Sequence, residues 1–216
     1  MHIDIIHCET LTFGPAFVEF HARQRACYAA FGAAAAAPAV LPAPERAVLI
    51  AARTEGGDMI AGIRLQRRTA QAPLALELVA ARFGIQIPIP GGEVAEAGGL
   101  WAAEPLRGTG IGRVLMEALL AVAPFLRIDT VMVLAHQFHR FLRPAGFVPV
   151  AEVPRMIYPD DRYISEVQAC EPLHARQAAA GRRDIMTSMR RAWAEDGFLR
   201  CDAIEIPEIT TEQSAP

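Results

Sequence analysis

Apolar and polar positions along the chain fall into short runs that read as alternating strands and helices. Residues 3–7 (Ile-Asp-Ile-Ile-His) predict a short opening strand. Residues 15–31 carry Phe17, Phe20, Ala22, Tyr28 and Phe31 at broadly helical spacing, and Gly32 ends the helix. Residues 33–44 are alanine and proline, a low-complexity surface loop. Two apolar runs, 47–52 and 59–65, flank Glu55-Gly56-Gly57-Asp58 and predict an antiparallel hairpin. Residues 74–83 read as a short helix. Residues 85–92, where Ile alternates with Pro, read as a loop. Residues 93–103 predict a strand whose Gly98-Gly99 pair marks a bulge or the close approach of another backbone. A helix follows to about Phe125, with Leu115, Leu119 and Val122 as its buried stripe. A strand over 130–134, a helix over 136–143 stopped by Pro144 and Gly146, and a strand over 147–153 complete the pattern. One further helix is expected around Ile185, Met186, Met189 and Trp193. We read 1–206 as a single domain and 207–216 as a tail.

The composition narrows the class. Over 216 residues, 52% apolar and 21% charged with a net charge of -3 exclude a disordered chain. No basic excess exists to neutralise phosphates, so a general nucleic-acid binder is not expected. Lysine is absent, which excludes a Schiff-base or P-loop lysine. Cys8, Cys27, Cys170 and Cys201 form no CxxC pair and read as reduced thiols of a cytoplasmic protein. No run spans a bilayer, and the first residues do not form a signal peptide. His136 and His139 lie three apart without a third ligand or an HExxH pattern, so no metal site is expected.

The informative segment is Arg107-Gly108-Thr109-Gly110-Ile111-Gly112, between a strand and a helix. Glycines let backbone amides approach a ligand, and a helix start presents unpaired N–H groups and a positive dipole end. Together they suit a pyrophosphate, with Arg107 and Arg113 adding charge-assisted bonds. The glycine spacing is not that of a Rossmann loop, and no Lys-Ser/Thr follows as in a Walker loop. A glycine-rich turn that only caps a helix is the plain alternative.

The stretch from Leu100 to Gly112 resembles motif A of the GNAT acetyltransferase superfamily, R/Q-x-x-G-x-G/A after a hydrophobic strand. Phe141-Leu142-Arg143-Pro144-Ala145-Gly146-Phe147 is similar to the helix-Gly-Phe-strand segment that closes the same fold. The resemblance implies an α/β fold with a mixed, splayed central sheet flanked by helices. It implies an acyl-CoA co-substrate, acetyl or longer, whose acyl group passes to an amine. Leu100 and Ala102 would then flank the thioester, and Arg107, Gly108, Thr109, Gly110, Ile111, Gly112 and Arg113 would take the phosphates. Where many members place a tyrosine as general acid, this chain has Leu142; Tyr158 and Tyr163 are alternatives that the sequence does not locate.

The N-terminal half is similar to acyl-homoserine-lactone synthases and long-chain N-acyl amino acid synthases, through His21-Ala22-Arg23-Gln24-Arg25-Ala26-Cys27, Gly32, Gly62-Ile63-Arg64-Leu65 and Val94-Ala95-Glu96. Cys27 and Ala33 depart from that pattern. Such a synthase is one alternative to a general N-acyltransferase; a non-catalytic acyl-CoA-binding sensor or interaction module is another. Glu96 shares strand parity with Leu100 and Ala102 and is the candidate base, or else a structural glutamate paired with an arginine. Glu93 and Glu104 are less well placed. Arg23 and Arg64 are candidates for an acceptor carboxylate, or plain ion-paired arginines. Met186 and Trp193 are candidates to line an acyl tunnel. The expected partner is a small-molecule or amino-acid-like amine; a homodimer is left open.

Overall fold

The computed structural model describes residues 7–11, 14–36, 46–54, 56–136, 141–172 and 200–201. Strand β1 (His7–Leu11) leads into helix α1 (Pro15–Ala30). The hairpin β2 (Ala47–Arg53) and β3 (Met59–Arg67) follows, then α2 (Ala75–Ala81). Strand β4 (Val94–Ala102) feeds α3 (Ile111–Val122), and β5 is Thr130–His136. The described part closes with β6 (Val148–Pro149), β7 (Met156–Ile157), β8 (Ile164–Cys170) and β9 (Arg200–Cys201). These nine strands form one sheet in the order β6-β8-β5-β4-β3-β2-β1-β9, with β7 against β8. Every pairing is antiparallel except β4 with β5.

That parallel pair positions the site. Strands β4 and β5 share only Val94–Thr130, Ala95–Val131 and Glu96–Met132. Beyond them β4 stays with β3, through Gly62–Trp101 and Ala61–Ala102, and β5 stays with β8 through His136–Ser165. The sheet therefore splits into a V. The mixed, splayed sheet flanked by helices is the expected architecture.

Each face of the sheet buries its own set. Helix α3 lays Leu115, Leu119 and Val122 against Ile50, Ile63, Ala95, Ala97, Val131 and Val133. On the opposite face α1 packs Phe17 and Phe20 on Leu49, Ala51 and Trp101. Alongside, α2 packs Leu76 and Ala80 on Val94, Met132 and Val167. Gly62 is required under α1, because a Cβ there would collide with the Phe20 ring.

Several sequence expectations need correction. The opening strand lies at His7–Leu11; residues 1–6 fall outside the described part. His136 ends β5 instead of opening a helix, residues 137–140 are outside the described part, and 141–146 form turns. The strand expected over 147–153 shrinks to Val148–Pro149, because the chain turns at 151–153. Strand β8 carried too weak a pattern to be read, since its buried positions include Ser165 beside Val167. Ser165 is satisfied there by donating to the Tyr158 carbonyl at 2.9 Å. The helix expected around 185–193 and the 207–216 tail lie outside the described residues.

Candidate active site

The mouth of the V is a cleft of about 910 Å³. Its walls are α1 (Gln24, Cys27, Tyr28), β3 and β4 (Arg64, Glu96 to Ala102), the start of α3 (Leu106 to Val114), and Leu134, His136, Tyr158, Tyr163 and Ser165 from the other arm. Leu100, Ala102, Arg107, Gly108, Thr109, Gly110, Ile111, Gly112 and Arg113 all line it.

The glycines of the loop do two different jobs. Gly108 (φ +80) and Gly110 (φ +90) sit in the left-handed region, and a Cβ at either would meet nothing within 4 Å. Their need for glycine is conformational, and the space above them is open. Gly112 has ordinary backbone geometry; a Cβ there would stand 3.3 Å from Leu100 Cδ2, so it lets α3 sit close on β4. The amides of Arg107 and Thr109 bond back to Glu104 and Leu106, and those of Arg113 and Val114 to Gly110. Those of Gly108, Gly110, Ile111 and Gly112 donate no backbone hydrogen bond among the described residues. Four open amides at a helix start, beside the Arg107 and Arg113 guanidiniums, make an anion seat. Arg107 lies over the Phe31 ring at 3.6 Å, and Arg113 reaches Glu117 at 3.8 Å.

Strand β4 offers polar backbone to the same cleft. Ala103 N–H donates to Ile60 C=O at 2.8 Å, so Ala61–Ala102 is a non-hydrogen-bonded pair and the polar groups of Ala102 face away from β3. Helix α1 supplies donors to its carbonyls: Tyr28 Oη donates to Leu100 C=O at 3.0 Å, and Cys27 Sγ to Ala102 C=O at 3.4 Å.

One inference from strand parity is overturned. The pairing jumps from Gly62–Trp101 to Arg64–Gly98, so β4 carries an extra residue at Gly99-Leu100. The bulge resets the alternation. Leu100 and Ala102 face α3, whereas Glu96 faces α2, where its Oε2 accepts from Leu76 N–H at 3.0 Å. Glu96 still lines the cleft, from the α2-side face. Burial pushes its carboxyl above the usual range, against the pull of Arg64 and the Leu76 amide.

Arg64 is 4% exposed and stands beside Glu96: a Cβ on Gly98 would lie 3.3 Å from Glu96 Oε1 and 3.6 Å from Arg64 Nη2. Among the described residues Arg64 Nε and Nη1 have no hydrogen-bond partner. Burial lowers its pKa while Glu96 supports the charge. Arg23 is not brought to the cleft. It lies on the exposed side of α1 and bonds Glu19 at 2.8 Å. Glu93 is likewise outside, bridging to Arg67 at 3.7 Å. Leu142 is 1% exposed in the α3-side core, so the residue in the usual acid position cannot reach a leaving group. His139 lies outside the described residues.

Sequence reasoning missed His21 and Gln24. Phe17, Phe20, His21 and Gln24 share the buried stripe of α1, whereas Ala22 faces out. The signal was present in the i, i+3, i+4, i+7 spacing, which puts two polar side chains between Phe20 and Tyr28. Tyr28 beside them is pushed up to about 12 by burial, with Gln24 and Arg64 pulling the other way.

The open-amide helix start lies beside the splayed β4–β5 pair, so an anion seat and a free strand edge share one cleft. A model of the acetyltransferase (GNAT) family matches residues 17–147, and the chain belongs to that family of acyltransferases. No curated protein matches the sequence. Among solved structures it is similar to FeeM, an N-acyl amino acid synthase from uncultured soil microbes, at 18% identity over 82% of this chain and 97% of that one, with a TM-score of 0.55. It is similar to the CoA-dependent acyl-homoserine lactone synthase BjaI at 13% identity over 84% and 90%, TM-score 0.60. It is also similar to Escherichia coli ElaA at 19% identity over 77% and 99%, TM-score 0.52.

Proposed function

We propose that this acyltransferase takes its acyl group from an acyl-CoA and passes it to an amine that enters the cleft from the Glu96 side. The observation that carries the reading is the convergence, on one cleft, of the open amides at 108–112, the outward backbone of Ala102 and the buried Glu96. The residues present fit the cofactor: the 107–113 segment suits its diphosphate, and the unpaired edge of β4 suits its amide-bearing arm. Coenzyme A supplies a thioester, an acyl group activated toward amines.

The chain's own groups do the rest. An ammonium must lose a proton before it attacks. Glu96, with its basicity raised by burial, is suited to accept that proton directly or through water. The Ala102 N–H, turned into the cleft, is suited to the developing oxyanion. A thiol leaving group has a pKa of about 8.5, so it needs little acid help. Tyr158 and Tyr163 line the opposite wall, and one of them is the candidate to return the proton. Arg64 is a cation available to the acceptor. A long-chain N-acyl amino acid or acyl-homoserine-lactone type of synthase is the second reading, favoured by this buried arginine, whose Nε and Nη1 have no hydrogen-bond partner among the described residues.

Thermal-shift titration with CoA, acetyl-CoA and a long-chain acyl-CoA tests the donor. A ~100-fold excess over Kd stabilises by about 2.7 kcal/mol. No shift with any of them refutes the reading. Release of thiol on adding amines separates an enzyme from a sensor. Gly110→Glu removes CoA binding by charge and backbone conflict at φ +90; unchanged affinity refutes the placement of the diphosphate.

A further inference from the structure

The buried stripe of α1 puts an amide side chain into the acceptor side of the cleft. Gln24 is 0% exposed yet lines that cleft. Its Oε1 accepts from His21 Nδ1 at 3.2 Å, and this bond sets which way the amide faces. Nε2 is thereby turned to Gly99, in the β4 bulge, where any Cβ would collide with it. That nitrogen completes no hydrogen bond among the described residues, although the Gln24 side chain stands close enough to the Tyr28 hydroxyl to pull its pKa down, and Arg64 Nε and Nη1 complete none either.

Arg64 Nη2 flanks Gly98 and Gln24 Nε2 flanks Gly99, so the two side chains that carry unsatisfied donors stand at consecutive glycines. Buried donors without protein acceptors are costly, and water, an ion or a ligand supplies the missing acceptors. The matching chemistry is a carboxylate: two acceptor oxygens and one negative charge for Arg64. Glu96 stands next to Arg64, at the distance of one short linker, where the amine of the same molecule would need its base.

We propose that Gln24, oriented by His21, is a specificity-determining residue that holds, together with Arg64, a carboxylate on the acceptor amine. Gln24 touches the acceptor; His21 is a positioning residue. The inference rests on the acyltransferase reading of the cleft.

The test compares thiol release from acetyl-CoA and octanoyl-CoA with the common L-amino acids and with the amines left when each loses its carboxyl group. The wild type favours the amino acids. In Gln24→Leu and in the isosteric Gln24→Glu, the ratio of kcat/KM for an amino acid to that for its decarboxylated partner falls roughly tenfold to hundredfold, the worth of one bond to a charged group. The fall lies in KM. His21→Leu reproduces it, and His21→Asn, which keeps a donor at the Nδ1 position, restores it. An unchanged ratio in the Gln24 variants overturns the proposal, as does a wild type that favours the decarboxylated amines. If no acceptor releases thiol, the acyltransferase reading fails on its own terms. The Gln24 side-chain amide resonance, assigned by its loss in Gln24→Leu, then decides the proposal. A shift with amino acids and none with their decarboxylated partners upholds it; no shift with either overturns it.

Discussion

His21 makes the stability of this protein depend on pH in a direction and window that can be worked out. The ring is 1% exposed, packed edge-on to Phe17 and Phe20, and burial lowers its pKa from 6.5 to about 4, with Arg64 and Arg25 pushing the same way. Its bond to Gln24 opposes the shift without cancelling it. Between those two values the unfolded chain binds a proton that the folded chain refuses, so stability falls as pH drops. One pKa unit is worth about 1.4 kcal/mol, so the full loss is about 3 kcal/mol, of which about 2 kcal/mol falls between pH 7 and pH 5. His21→Asn keeps a donor for Gln24 and does not titrate. Urea unfolding of the two proteins across that range, followed by tryptophan fluorescence, gives the difference in unfolding free energy. Carboxylates common to both cancel. The difference should move by about 2 kcal/mol, with the wild type losing more as acid is added. A flat difference would mean that the ring is solvated or charged in the folded protein, and the account of α1 would be wrong.

Glu96→Gln should slow acyl transfer by roughly 10²–10⁴-fold while leaving the CoA-induced thermal shift intact; equal rates would end its candidacy as base. Gly62→Ala should destabilise by about 1–3 kcal/mol through overpacking against the Phe20 ring, and chemical denaturation reads it directly. A neutral result there would mean that α1 sits further from the sheet. Gly110→Ala should cost about 1–2 kcal/mol for the left-handed backbone, with CoA affinity falling far less than in Gly110→Glu.

The loop at 107–112 was legible because its information is local. Glycines are needed there for backbone conformation and close approach, and both requirements are written in adjacent residues. The β2–β3 hairpin was legible for the same reason: a Gly-Gly turn between two apolar runs leaves few alternatives. Glu96 was found as a cleft residue by an argument that failed in its middle step. Strand alternation put it beside Leu100 and Ala102, and the bulge at Gly99 turned it to the other face. The Gly98-Gly99 pair advertised the bulge but not which residue would be extra, because that depends on how β3 pairs across it.

Local pattern alone therefore established the order of the central elements, the helix start that can hold an anion, and the absence of a tyrosine at 142. Packing between distant segments decided which arginine serves the cleft, Arg64 inside and Arg23 outside, and which face Glu96 takes. It also decided that His21 and Gln24 are buried on the inner face of α1, with Gln24 on the wall of the cleft. The reason is physical: a short polar motif acts through its own backbone, whereas the burial and charge state of a side chain are set by whatever the rest of the chain brings against it.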